Sequence, residues 1–284
     1  MTFRHEKGEN IPYNFTEYQV KTAEFFATHP VFSLDEANTA LAPKGGRLGT
    51  LERLKYHLRS GKLKLAARGV YAVVPPGVLA EWFQPDPVMV ASAVRPDGIF
   101  SHHSALELLG AAHSVWHQCT LYVEQRRRPL RLNGTTIRFL EHPGPMRSAA
   151  SEQLGTLRVE RQGRLLRTTG PERTLVEGFR RPALAGGLEE LVRSASGFST
   201  LDLDLLEKVL HGYAVATLWA AVGWFLECFQ QAFYVPEKFL ERLAQHRPRS
   251  PHYLERDRRG GALVARWNLI FPEALASLGE PDER

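Results

Sequence analysis

Apolar residues recur at helical spacing from Thr16 onward: Val20, Ala23 and Phe26 stand three apart, with Tyr18 and Phe25 beside them, until His29-Pro30 interrupts the pattern. This predicts a first helix preceded by a leader, residues 1–15, that shows no periodicity. Ser33 and Glu36 form a capping box, hydroxyl and carboxylate each satisfying an orphan amide at a helix start, so a second helix should run to about Leu41. Ala42-Pro43-Lys44-Gly45-Gly46 breaks it. From Thr50 a third helix aligns Leu51, Leu54 and Leu58 on one stripe and ends at Ser60-Gly61. Alternation follows, with Lys62 and Lys64 on one face and Leu63 and Leu65 on the other, and after Arg68-Gly69 the chain returns as Val70-Tyr71-Ala72-Val73. Three helices and a hairpin predict a winged helix-turn-helix domain over residues 16–77, closed by Pro75-Pro76-Gly77.

Beyond that break the periodicity predicts helices at Val88–Val94 and from Ser101 to Gly110, and strands at Thr120–Val123 and Thr135–Leu140 around the basic run Arg126–Arg128 and the turn pair Asn133-Gly134. Helices follow at Pro171–Phe179, Leu188–Ser194, Leu203–Leu210, Ala216–Phe229 and Pro236–Gln245, then a closing strand at Leu263–Leu269 and a helical turn from Pro272. The expected fold class is α+β: the winged helix, then a larger, mostly helical α+β domain over residues 78–284, of which 78–150 could form a linking subdomain.

Composition narrows the class. Over 284 residues, 43% are hydrophobic and 24% charged, which excludes a disordered chain and a disulfide-stapled miniprotein. The apolar stretch Tyr213–Leu226 is shorter than the roughly 20 residues of a bilayer crossing and reads as a buried helix, so no membrane partner is expected. Cys119 and Cys228 stand far apart and no signal sequence opens the chain, which makes the cytoplasm the expected location. The net charge is only +5, but Lys44–Arg68 holds eight basic residues against one acid, Glu52. A polyanion is the expected partner of this basic head.

On the third helix the face opposite the leucine stripe should carry Glu52, Arg53, Tyr56 and Ser60, flanked by His57 and Arg59. Arg53 has the guanidinium fork that pairs with guanine. Arg47 and Thr50 sit at the helix start within reach of base edges or phosphates, and Lys64 and Arg68 on the hairpin should reach flanking phosphate or the minor groove. The competing reading is a solvated basic face on a protein-binding domain. Other chemistry is weakly signalled. His113 and His117 have helical spacing without an accompanying metal motif, Gly45–Gly49 is no P-loop, and Asp202 and Asp204 read as acids complementing a helix start. Neither a metal, nor a cofactor, nor an enzymatic activity is expected.

The run FSLDEANTAL followed by TLERLKYHLRSGKLKLAARGVYAVVPPG resembles the N-terminal winged helix of the AbiEi family, the antitoxins and autoregulators of type IV toxin–antitoxin, abortive-infection systems of phage defence. SHHSALELLG, TTGPERTLVEGFRRPALAGGLEELVRSA and ARWNLIFPEAL resemble the same family, in the same order along the chain. The resemblance implies a transcriptional repressor that binds inverted repeats in its own double-stranded promoter and a C-terminal domain that neutralises a nucleotidyltransferase-like toxin. Within that domain TGPERT reads as a helix start with Thr169 as cap, Glu172 three residues on and Arg173 exposed, either an antitoxin surface or a capping box alone. The alternatives are a stand-alone regulator whose C-terminal domain senses a ligand or oligomerises, and an enzyme that modifies the toxin.

Overall fold

A computed structural model of the chain describes residues 15–43, 45–254 and 260–276, and the chain divides into two compact units, Met1–Val94 and Arg95–Arg284. The predicted leader lies outside the described residues except for Phe15. The fold class is α+β. Among the described residues no helix is long and apolar enough to cross a membrane.

The first unit runs α1 (Phe15–Thr28), β1 (Val31–Ser33), α2 (Leu34–Leu41), α3 (Gly46–Arg59), β2 (Leu63–Ala67), β3 (Val70–Val73) and α4 (Pro87–Val94). The capping box forms as its residues dictate: Ser33 Oγ accepts from the Glu36 amide at 3.1 Å, and the Ser33 amide donates to Glu36 Oε2 at 2.7 Å. Three short strands make an antiparallel sheet of order β1-β3-β2, with Phe32 opposite Tyr71 and Leu63 opposite Val73. Gly69, at φ +75°, supplies the left-handed residue that turns the hairpin. Phe25, Phe32, Leu34, Leu41, Leu54 and Leu63 bury one core between helices and sheet. β1 escapes the sequence because three residues carry no period. It is fixed by Phe32, which is fully buried with its ring 5.8 Å from that of Tyr71. Two expectations change. α3 starts at Gly46, one turn before Thr50. The unit also continues past Gly77, because α4, buried at every residue from Val88 to Ala93, packs on β1 and β3.

The second unit has a six-stranded mixed sheet of order β6-β7-β5-β4-β9-β8, built from β4 (Ile99–Phe100), β5 (Gln118–Val123), β6 (Leu130–Leu132), β7 (Thr135–Glu141), β8 (Thr156–Arg161) and β9 (Arg164–Thr169). β5 and β7 run parallel with Leu121 opposite Phe139, and β6 and β7 are joined at Asn133-Gly134, both at positive φ as a type I′ turn requires. Helices α5 (His103–Leu108) and α6 (Ala149–Glu152) accompany the strands. Five helices then carry the main core: α7 (Pro171–Arg180), α8 (Leu188–Ala195), α9 (Leu203–Tyr213), α10 (Ala216–Cys228) and α11 (Glu237–Gln245). Asp202 caps α9, accepting from the Leu205 amide at 2.9 Å. The closing strand expected at Leu263–Leu269 is instead a hairpin, β11 (Ala262–Val264) against β12 (Leu269–Phe271), with β10 (His252–Tyr253) parallel to β12 and α12 (Glu273–Ala276) after it. Trp267, in that hairpin's turn, lies fully buried against Gly223 of α10, where a Cβ would overlap its ring.

Candidate nucleic-acid interface

The phase of α3 decides which side chains face outward. Thr50 and Leu54 are fully buried, with Leu51 and Leu58 packed beside them, so the leucine stripe faces the core as its spacing predicts. At 100° per residue the outward face is then Leu48, Glu52, Lys55, Tyr56 and Arg59, all exposed. Leu48 joins this face because α3 begins a turn earlier than Thr50, and Lys55 belongs to it as the i+3 neighbour of Glu52 and the i−4 neighbour of Arg59.

Four of the expected contacts are placed differently. Thr50 points inward, its hydroxyl donating to Asn38 Oδ1 at 2.9 Å, and so joins α3 to α2 rather than offering itself to a groove. His57 is half-buried, its ring 5.0 Å from Phe26 and edge-on to it, and burial, with the Lys62 charge, lowers its pKa. It is therefore neutral near pH 7 and supplies no charge to a phosphate. Arg53 lies half-buried on the flank of the helix instead of at the centre of its outer face. Lys64 is spent internally: its Nζ donates to the carbonyls of Phe83 at 2.6 Å and Glu81 at 3.3 Å, clamping the segment after the hairpin onto β2.

What remains outward is a compact basic set. Tyr56 is 66% exposed, Arg59 is exposed beside it, and Lys62 and Arg68 stand exposed on the hairpin, Arg68 at its tip. Arg47 is exposed and paired with Asp35 of α2. Lys55 bonds Glu52 at 2.6 Å, a bond that holds the Glu52 carboxyl below its ordinary range. That single acid is thus ionised but neutralised by its neighbour. Exposed pairs of this kind contribute little to stability, so both cations can exchange their partner for a phosphate at small cost.

The C-terminal candidates have a different fate. Gly170, not Thr169, caps α7, with Pro171 at its first position. Thr169 is buried with its hydroxyl 2.7 Å from that of Thr174. Glu172 is buried and accepts from the Asp202 amide at 2.8 Å. Arg173, expected at the surface, is fully buried. Its Nε donates to Glu177 Oε1 at 2.7 Å and its Nη1 to the carbonyls of Glu152 and Leu154, at 2.7 and 3.0 Å. Tyr213 donates its hydroxyl to the same Glu177 oxygen at 2.6 Å, which ties α7 to α9. These residues are an internal polar joint and offer no side chain to a partner.

A scan against protein-family models and a search of curated proteins both found no match. Among solved structures the chain is similar to the crystal structure of the RV2827C protein from Mycobacterium tuberculosis, at 17% identity and a TM-score of 0.58, over 94% of this chain and 96% of that one. Identity that low carries fold and nothing further: both units share an architecture with that protein.

Proposed function

We propose that the first unit is a winged helix that binds double-stranded DNA, and that the protein is an AbiEi-type antitoxin repressing its own operon at inverted repeats while its second unit neutralises a nucleotidyltransferase-like toxin. One observation carries the DNA-binding half: Arg47, Lys55, Arg59, Lys62 and Arg68 of the basic window are exposed on α3 and the β2–β3 hairpin, the two elements that a winged helix presents to a duplex. Lys55, Arg59 and Arg68 contact phosphate, Arg47 leaves Asp35 to do so, and Tyr56 packs against the sugar edge or a base. The toxin-directed half rests on the family resemblance of the C-terminal segments.

Binding of a duplex from upstream of its own gene, followed by fluorescence anisotropy across a salt series, tests the first half. Each phosphate contact contributes a slope of about −0.9 in log K against log salt, so Lys55→Ala/Arg59→Ala/Arg68→Ala should flatten the slope by about 2–3. An unchanged slope overturns the assignment. Co-expression with the neighbouring gene tests the second half: the whole chain should restore growth, and the triple variant should still restore it if neutralisation does not work through DNA.

A further inference from the structure

In the second unit, β5, the segment after it, β7 and the end of α7 enclose a concave pocket of about 350 Å³. Six arginines line it: Arg126 and Arg127 after β5, Arg138 on β7, Arg147 beyond the turn that follows β7, and Arg180 and Arg181 at the end of α7. The one acid in the lining, Glu141, is already paired with Arg147 at 3.2 Å. Arg138 reaches only a neutral amide, Gln118 Oε1, at 3.2 Å, and Arg180 only the face of Tyr213. Among the described residues Arg126, Arg127 and Arg181 have no ion-pair partner. So much like charge in a concave space repels itself, and an anion that enters relieves the repulsion.

The floor of the pocket is made by two packed rings. Tyr122 is 1% exposed and His142 7% exposed, their rings stacked at 5.3 Å. The Tyr122 hydroxyl is turned toward the buried Glu177 carboxylate, so the floor is closed and the guanidinium groups of the wall are what the pocket offers to an anion. Arg173 lies over the Tyr122 ring at 5.8 Å, so the internal joint of α7 backs this floor and holds the tyrosine in place.

We propose that this pocket binds a compact oligophosphate, a short chain of phosphates either free or as the tail of a nucleotide. A guanidinium fork matches two phosphate oxygens at once, and six forks exceed what one phosphate can engage. The volume falls in the range of about 300–1,000 Å³ typical of small-ligand pockets, whereas a nucleic-acid backbone is followed along an extended stripe. An adjoining cavity of about 500 Å³ shares Glu141, His142 and Arg147 and adds Glu124 and Glu152. Its carboxylates repel phosphate and would accept hydrogen bonds from the amino group of a nucleobase, which is where a nucleotide and a free phosphate chain would differ. The inference does not rest on the DNA-binding or antitoxin reading.

Titration calorimetry on the full chain with sodium tripolyphosphate, ATP and GTP tests it. Tripolyphosphate should bind, and Arg127→Ala/Arg181→Ala should weaken it about tenfold or more, as expected for the loss of hydrogen bonds to a charged group. Arg193→Ala, an exposed arginine of α8 outside the pocket, should not. Tighter binding of ATP or GTP than of tripolyphosphate identifies a nucleotide as the source, and equal binding identifies the free chain. The proposal is overturned if tripolyphosphate does not bind at millimolar concentration in low salt, or if Arg193→Ala weakens it as much as the pocket variant. It is also overturned if a random-sequence duplex displaces it, which would make the pocket part of a nucleic-acid surface.

Discussion

Arg173→Met tests the internal joint of the second unit. The Arg173 and Glu177 side chains are both fully buried and meet at 2.7 Å. Removing one partner of such a pair costs about 3–5 kcal/mol, because the carboxylate left behind has lost both water and countercharge. The carbonyls of Glu152 and Leu154 lose a charged donor in the same step, which places the expected loss near the top of that range. A domain has only about 5–15 kcal/mol in total, so the variant should unfold at much lower urea. Adding Glu177→Leu removes the stranded charge and leaves unsatisfied only the Tyr213 hydroxyl and the two carbonyls. The double variant should therefore be more stable than Arg173→Met, with a coupling energy of about 2–3 kcal/mol. Urea unfolding followed by tryptophan fluorescence reports on this unit, since Trp116, Trp219, Trp224 and Trp267 belong to it and Trp82 of the other unit is 78% exposed. Additivity of the two substitutions within about 0.5 kcal/mol would refute the view that the pair is one electrostatic unit.

Three further outcomes follow from the packing. Leu54→Ala should cost the first unit about 2–5 kcal/mol by opening a cavity, read by thermal unfolding, and an unchanged Tm would contradict the α3 phase on which the outward face depends. Burial holds the His102 imidazole at about 4, below its ordinary 6.5, so the folded chain keeps it neutral while the unfolded chain protonates it. Stability is then lost as pH falls from 7, by roughly 2 kcal/mol at pH 5, and His102→Gln should flatten the decline in urea midpoint; an equal slope in the variant argues against it. Lys64→Met should leave α3 intact, cost about 1 kcal/mol and speed proteolysis between residues 75 and 86, because the clamp on Glu81 and Phe83 is gone. A cleavage rate equal to that of the parent chain would show that the segment is held by other contacts.

Much of the fold could be read from local pattern and much of the site could not. The capping box at Ser33, the leucine stripe of α3 and the amphipathic helices of the second unit are set by residues within a few turns of one another, and each stands where its spacing puts it. The hairpin β8–β9 was missed because its alternation is masked by arginines and its turn, Gln162-Gly163, lacks the usual Asn or Asp at the first left-handed position. The outward set of α3 gains Leu48 because one glycine-rich turn belongs to the helix, and loses Arg53 and His57 because folding half-buries them, His57 against Phe26. Lys64 and Arg173 look in sequence like surface cations. The carbonyls that hold them are brought in by folding, which no spacing encodes, whereas Glu177 stands four residues from Arg173 on α7, a spacing the sequence shows. The arginine pocket shows the same limit: Arg126 and Arg127 form a visible run, but Arg138, Arg147, Arg180 and Arg181 join them only when the sheet and α7 close.

The indole of Trp267 seated on Gly223 bears on the order in which this protein can be made. α10 leaves the ribosome well before the β11–β12 hairpin, with the groove over Gly223 uncovered and Trp224 and Phe225 already in the chain. Until Trp267 emerges and fills that groove, the helix has an apolar face with nothing to cover it. The second unit therefore completes its core only after most of it has been synthesised, and the interval between those events is when it is most exposed to aggregation or to capture by a chaperone.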